Sequence, residues 1–490
     1  MAYLAAATRQ AGHDVSVADA LGENVKKYTP IDGEEGLLRQ GIDNAAVVEL
    51  IEDKVEVIGV SCMFSQEWLF TRDLINRIRK KFPHATIVAG GEHITALPEY
   101  TLKDCPALDV CVLGEGEQTF VDLLEALTIG HELEEVNGLC IRHGDGFTRT
   151  TSRKRLRQID DLPWPAWDLV PLESYLNEGV MPGVNLGRSM PLLASRGCPY
   201  KCTFCSNPGM WGTLWRSRDA EEVFREMRHY MKEYGATNFD FYDLTAIVNR
   251  KWIVDFCRII IESGVEITWQ LPSGTRSEVI DEEVTKLLYD SGCRFASYAP
   301  ESGSPEILEK IKKKVTKPRM LDSMRYARSN GLSIKANMIL GFPGETWFNV
   351  LETYHFILQM AWIGVIDISV FPFSPYPGSA LFQQLHDKGK IKLGDPYFFS
   401  LLHYYTKPKE VSSYSENFTQ TQLLYLRLIG MSLFYGVSFL LRPIRIWRLV
   451  RNVRRGMPGS KLENSLILIL KKRQELKALN ALNNQVAQAD

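Results

Sequence analysis

The chain has 490 residues, 45% of them apolar and 24% charged, which is too long for one compact core and too apolar for disorder, so two or three globular domains are expected. A formal net charge of −2 excludes a global pull toward nucleic acid or an anionic surface, and any such attraction must come from a local patch. Nine cysteines at irregular spacing exclude a disulfide framework, and no basic leader with an apolar run opens the chain, so reduced thiols in the cytoplasm are expected.

In chain order, AYLAAATRQAG predicts a helix ending at Gly12, and DVSVAD a short strand. VEVIGVSCM predicts a buried strand, WLFTRDLINRIRKKF an amphipathic helix and ATIVAGG a further strand. LDVCVLGEGE and QTFVDLLEALTIG follow as strand and helix. This alternation predicts an α/β domain with a doubly wound parallel sheet over residues 1–129, its first strand missing because the chain opens inside a helix. In such sheets ligands gather at the carboxyl ends of strands, here Ser61-Cys62, Gly90-Gly91 and Gly114-Glu115-Gly116-Glu117.

Residues 130–186 are a connection, with a hairpin turning at Gly144-Asp145-Gly146 and then DDLPWPAWDLVP, whose prolines oppose regular structure. Trp164 and Trp167 are expected to pin it to a domain surface. From 187 to 400 about six strand–helix units predict a partial (β/α) barrel, whose chemistry lies on the loops after the strands. Residues 401–490 are helical. The longest uncharged apolar run there, Leu428–Leu441, falls short of the roughly 20 residues a bilayer span takes.

Six cysteines (Cys62, Cys105, Cys111, Cys140, Cys257 and Cys293) sit mostly among apolar residues, as core side chains do. The other three share one loop. SRGCPYKCTFCSNP spaces Cys198, Cys202 and Cys205 as C-x3-C-x2-C after the first barrel strand, and three such thiolates suit a [4Fe–4S] cube with one iron left open. A structural zinc site needs four ligands, and no Cys or His follows Cys205 for many residues.

This motif resembles the defining signature of the radical S-adenosylmethionine (SAM) enzymes, over about residues 185–375. The resemblance implies that the open iron holds SAM, and that one-electron reduction, from a donor such as flavodoxin or ferredoxin, yields a 5′-deoxyadenosyl radical. It implies that Phe204 shields the cluster. It places Glu301 and Ser302 of YAPESGS near the SAM ribose, and Gly341, Gly344 and Glu345 of ILGFPGET near the adenine. Arg276 is implied near the SAM carboxylate, and Asp240 and Asp243 of NFDFYDL at the second strand's end, facing SAM or substrate.

The first domain is similar to the B12-binding domain preceding the barrel in one large subgroup, which includes the anaerobic magnesium-protoporphyrin ester cyclase type. That likeness implies cobalamin against Ser61, Cys62, Gly90, Gly91, Gly114, Glu115 and Gly116. With no D-x-H-x-x-G motif, no histidine is nominated as a cobalt ligand, and His93 is read as a loop histidine. The subgroup's commoner reaction is methylation of an unactivated carbon on a small-molecule or lipid substrate. The alternatives are a radical SAM cyclase or oxidoreductase and, in another class, a non-catalytic B12 or Fe–S redox sensor. Arg442, Arg445, Arg448, Arg451 and Arg454 recur every third residue behind the apolar run, and residues 428–455 carry two readings: a helix packed on the barrel with a solvated basic face, and a peripheral membrane contact.

Overall fold

The computed structural model describes the chain except residues 32–33, 180–182, 277, 407–411, 457, 461, 468, 471–472 and 474–490, so the end of the C-terminal region lies outside the described residues. Two sheets organise it. The first has three parallel strands, Val57–Ser61, Thr86–Gly90 and Val110–Val112, and is continued antiparallel by Leu139–His143 and Gly146–Arg149. The hairpin expected in the connection therefore completes this sheet. Leu139, Cys140 and Ile141 are buried against its other strands, and burying that apolar triplet is what draws the hairpin in.

DVSVAD forms no strand. Val15 and Val17 pack on Ala5 and Ala6 of helix Ala2–Gln10 and on Ala166 and Leu169 of the connection, so the alternation is satisfied by packing without a ladder. An unforeseen hairpin, Tyr28–Ile31 with Glu34–Gln40, follows.

The second sheet has six parallel strands in sequence order: Ser189–Leu192, Asn238–Phe241, Thr268–Thr275, Cys293–Glu301, Ser333–Leu340 and Asp367–Pro372. Each crossover is helical, as parallel neighbours require. The helix Ala220–Tyr234 shows why: Asp219 accepts from the Glu221 and Glu222 amides, Val223, Phe224, Met227 and Tyr230 form one buried stripe, and Gly235 closes the end at φ +62°. Phe241, Phe256 and Trp269 interlock between sheet and helices, with ring centroids 5.2 to 5.6 Å apart. The connection is pinned as expected: Trp167 Nε1 donates to the Tyr230 hydroxyl at 2.9 Å, and Trp164 lies on His229.

The last strand, Asp367–Pro372, is covered by helix Gln420–Leu441, which has 22 residues. The length inferred from the apolar run is therefore too short. A capping box between Thr419 and Gln422 starts the helix eight residues earlier and carries it through Arg427. By length and composition it could cross a membrane, but Leu426, Gly430 and Phe434 are buried on one face.

Candidate active site

The loop after Ser189–Leu192 carries the three thiols at the carboxyl end of the six-stranded sheet. Cys202 is buried, and Cys198 and Cys205 are half-buried. The loop is tied down on two sides by its backbone: the Thr203 amide donates to Ile311 O at 3.0 Å, and the Leu381 amide donates to Thr203 O at 2.9 Å. Burial raises the Cys198 thiol and pushes Cys205 up to about 12. Phe204 leans on Phe342, with centroids 5.7 Å apart, and Phe342 on Phe373.

Two cations flank this loop. Lys313, which is buried, pairs with Glu301 at 3.0 Å and has its Nζ 5.9 Å from the Phe204 ring centre. Arg276 pairs with Glu278, lies over Tyr200 with its guanidinium carbon 3.4 Å from the ring centre, and donates from Nη2 to Lys314 O at 2.6 Å. Glu301 and Lys312 are the only non-glycine residues with positive φ among the described residues, and both belong to this wall. Backbone held in so sparsely populated a region clusters at functional sites, where surrounding structure enforces it.

The remaining residues nominated for SAM are placed as follows. Asp243 accepts from Ser195 Oγ at 2.5 Å and from the Ala194 amide at 3.1 Å, clamping the end of the first strand, and burial raises it to about 6. Asp240 is wholly buried and takes hydrogen bonds from Asn238 and Gln270. Ser302 is buried, bonded to Thr353 and to the Ser304 amide. Glu345 accepts from the Gly341 amide, closing its own loop, while its other oxygen is buried with no partner, and burial pushes it up to about 7. Gly341, at φ +86°, leaves no room for a Cβ beneath Leu423. Glu301 is the member of this set that stands beside the thiol loop.

The carboxyl end of the first sheet meets the same loop. Gly91 runs at φ +115°, and a Cβ there would collide with the Cys62 carbonyl. A Cβ at Gly90 or Gly114 would stand at ordinary van der Waals distance from Val112 or the Met210 carbonyl, and Met63 and Phe64 are exposed just beyond Ser61. Cys62 itself is completely buried, and its amide donates to Gly90 O at 2.8 Å, so it offers this edge backbone only. The Glu115 carboxylate holds Arg155, the Leu156 amide and Arg196, while Gly116 begins the helix Gly116–Ile129 beneath Leu4. His93 is core: its Nδ1 meets Ser65 Oγ at 2.9 Å, it stacks on Trp68, and burial lowers it to about 3.

Several participants escaped the sequence reading. Ser206, next to Cys205, donates to Glu92, next to Gly91, so the two sheets touch at the centre of the site. Arg196, two residues before Cys198, pairs with Glu117 at 2.6 Å and with Glu115 at 3.3 Å, between the rings of Tyr3 and Trp211. Asn207 is buried with both side-chain polar atoms unpartnered. Glu92 was legible beside its two glycines. Lys313 stands among three consecutive lysines and carries no signal of its own.

The residues present fit both kinds of cofactor. Among the described residues no three Cys, His, Asp or Glu side chains are drawn together as a metal site, but three thiols on one loop, two ion-paired cations beside it and an orphaned amide at Asn207 suit a cluster with one open iron. A glycine-lined edge beside exposed Met63 and Phe64 suits a broad, flat, largely apolar ligand.

Comparison with known proteins bears on both halves. Residues 192–357 match the radical SAM superfamily and residues 1–124 the B12 binding domain. An uncharacterised methyltransferase of Pyrococcus horikoshii is 31% identical over 78% of this chain and 77% of its own length. The cytidylyl-2-hydroxyethylphosphonate methyltransferase of Streptomyces wedmorensis is 28% identical over 80% of this chain and 78% of its own. The radical SAM methyltransferase TsrM of Kitasatospora setae, solved with cobalamin and a [4Fe–4S] cluster bound, shares the fold at a TM-score of 0.58 and 18% identity, over 70% of this chain and 69% of that one.

Proposed function

The chain belongs to the B12-binding radical SAM enzymes, and on that premise we propose that it methylates a carbon of a small-molecule or lipid substrate in the crevice between its two sheets. The observation that carries the reading is the Glu92–Ser206 contact, which puts the glycine-lined end of the first sheet against the thiol loop of the second. Cys198, Cys202 and Cys205 would hold the [4Fe–4S] cluster, and Gly90, Gly91, Gly114 and the Ser61–Phe64 edge would receive cobalamin. When bound, the cluster and SAM supply a 5′-deoxyadenosyl radical and cobalamin supplies a transferable methyl group.

The protein's part is placement and exclusion. Phe204 and Phe342 wall off one side of the thiol loop from water. Lys313, paired with Glu301, and Arg276, paired with Glu278, present an ammonium and a guanidinium where the thiolates and the carboxylate of SAM would bring negative charge. The Glu301–Lys313 pair keeps that lysine aimed at the loop. Glu92 and Ser206 set the distance between the two sheets, and methyl transfer needs reacting atoms held close. A one-electron reductant of the flavodoxin or ferredoxin kind is the expected partner, and residues 428–455 rest on a membrane surface.

Anaerobic reconstitution with iron, sulfide and cobalamin, followed by reductant and SAM, tests the assignment. Formation of 5′-deoxyadenosine, retention of cobalamin by its visible spectrum, and loss of deoxyadenosine in Cys202→Ala are expected. An intact cluster that yields no deoxyadenosine would sink the enzymatic reading and favour a redox sensor.

A further inference from the structure

The helix Ile444–Arg455 is amphipathic, with Ile446, Leu449, Val450 and Val453 on its apolar side, yet it has no buried residue, and Ile446 and Val450 are exposed. A helix of that pattern normally buries its apolar stripe against a partner, and none among the described residues covers this one. Two neighbours share the anomaly. Helices Trp347–Ile363 and Gln420–Leu441 pack on each other, the Tyr354 hydroxyl donating to Leu426 O at 2.7 Å. Both turn large apolar side chains outward: Phe348 and Trp362, the latter 70% exposed, from the first, and Leu428 and Leu440, the latter 81% exposed, from the second. Exposed apolar surface on this scale marks a docking face.

Charge identifies the occupant. Residues 417–462 contain no Asp or Glu and eight Lys or Arg. Arg442 and Arg445 are spent on the carbonyls of Ala361, Trp362 and Ile366, closing the end of helix Trp347–Ile363. Arg448, Arg454 and Arg455 are exposed beside Trp447. A second copy of this chain seated symmetrically on the face would set these arginines against their own kind. An anionic bilayer surface answers both the charge and the apolar side chains, and interfacial tryptophan is suited to its headgroup depth. One side of helix Gln420–Leu441 packs on the barrel through Leu423, Leu426, Gly430 and Phe434, which favours a helix lying on the surface over one crossing it.

Resting on the membrane contact proposed above, we infer that the seat is larger than residues 428–455. The barrel wall itself, through the outer side of helix Trp347–Ile363, enters the interface of an anionic lipid surface together with helices Gln420–Leu441 and Ile444–Arg455. The seat reaches the catalytic end, because Leu423, near the start of helix Gln420–Leu441, lies against Gly341 at the end of strand Ser333–Leu340. A substrate dissolved in the bilayer then has a short path to the crevice.

Co-sedimentation of the reconstituted enzyme with vesicles of phosphatidylcholine, alone or with one third phosphatidylglycerol, tests the inference. At least tenfold stronger partitioning to the anionic vesicles is expected. Reversing Arg448, Arg454 and Arg455 to Glu should cut that partitioning about a hundredfold, at about 1 kcal/mol per basic residue near the surface. The pair Phe348→Ser and Trp362→Ser should cut it at least tenfold while leaving deoxyadenosine formation and the melting temperature unchanged. Equal or absent partitioning to both vesicles overturns the seat without touching the catalytic assignment. Loss with the arginine reversals but none with Phe348→Ser and Trp362→Ser overturns the role of the barrel wall and leaves contact through 428–455 standing.

Discussion

Lys313 and Glu301 form an ion pair at 3.0 Å inside the mouth of the barrel, both nearly removed from solvent, with Glu301 at φ +68°. Removing one member of such a pair strands the other charge, so Lys313→Met should destabilise the fold by about 3–5 kcal/mol in thermal unfolding. The double variant Lys313→Met with Glu301→Gln should recover most of that loss. Deoxyadenosine formation should be abolished in the single variant and stay abolished in the double, whereas the reduction potential of the reconstituted cluster should fall in Lys313→Met alone, where a cation is taken from beside the thiolates and its carboxylate partner left behind. Recovery of both would make the pair purely structural. The pattern YAPESGS pointed to Glu301 from the sequence, but its partner was invisible among Lys312, Lys313 and Lys314. Only the turn through Lys312, at φ +54°, selects which of the three comes inward.

At the scale of the element, the loop from Gly341 to Glu345 is closed by its own glutamate. Its backbone amides hold one Glu345 oxygen while the other is buried without a partner, and burial raises this carboxyl to about 7. A carboxyl raised in the folded state favours folding while protonated. Its contribution is fully present below the unfolded value near 4.5 and is lost as pH rises through about 7. Glu345→Gln supplies an amide that can still accept from Gly341 and carries no charge at any pH. The wild-type chain should therefore lose about 3 kcal/mol relative to Glu345→Gln between pH 4.5 and 8, read as diverging denaturant midpoints. Parallel curves would show that the carboxyl is not burdened by burial. ILGFPGET was legible as a close-approach loop, since glycine and proline mark a strand end. That its acid turns back on its own backbone depends on Leu423 and Asn417 closing over it from the far end of the chain.

For the whole molecule, the joint between the two sheets is a charged bracket. Arg196 lies between Tyr3 and Trp211 and binds Glu115 and Glu117; burial opposes ionisation of Glu117, but the Arg196 charge and hydrogen bond hold it below its usual range. Arg72 makes a second bracket, 2.7 Å from both Asp104 and Asp395. Arg196→Met leaves two carboxylates facing each other in the joint, and should lower the unfolding midpoint by several degrees, expose residues 150–186 to protease and reduce cobalamin retention. Unchanged protease sensitivity would mean the aromatic contacts hold the joint alone. Glu92→Gln should act more narrowly: deoxyadenosine formation persists while methyl transfer from SAM to substrate drops at least tenfold, because the contact with Ser206 weakens without unfolding either sheet.

The amino-acid sequence alone determined the features written in local periodicity and spacing: the alternating strands and helices, the three thiols on one loop, the glycines at strand ends and the basic row after residue 441. These depend on neighbours a few positions apart, and short-range patterns survive whatever the rest of the chain does. Tertiary structure decided the rest. It denied DVSVAD a ladder, drew the Leu139–Arg149 hairpin into the first sheet, and spent Asp243, Ser302 and Glu115 on clamps within the fold. It also brought Glu92 to Ser206 across 114 positions, and turned Trp362 and Trp447 outward on helices far apart in the chain. Such pairings are settled by which buried polar atoms must find partners and which apolar faces remain uncovered once the whole chain has packed, and no local window contains that information.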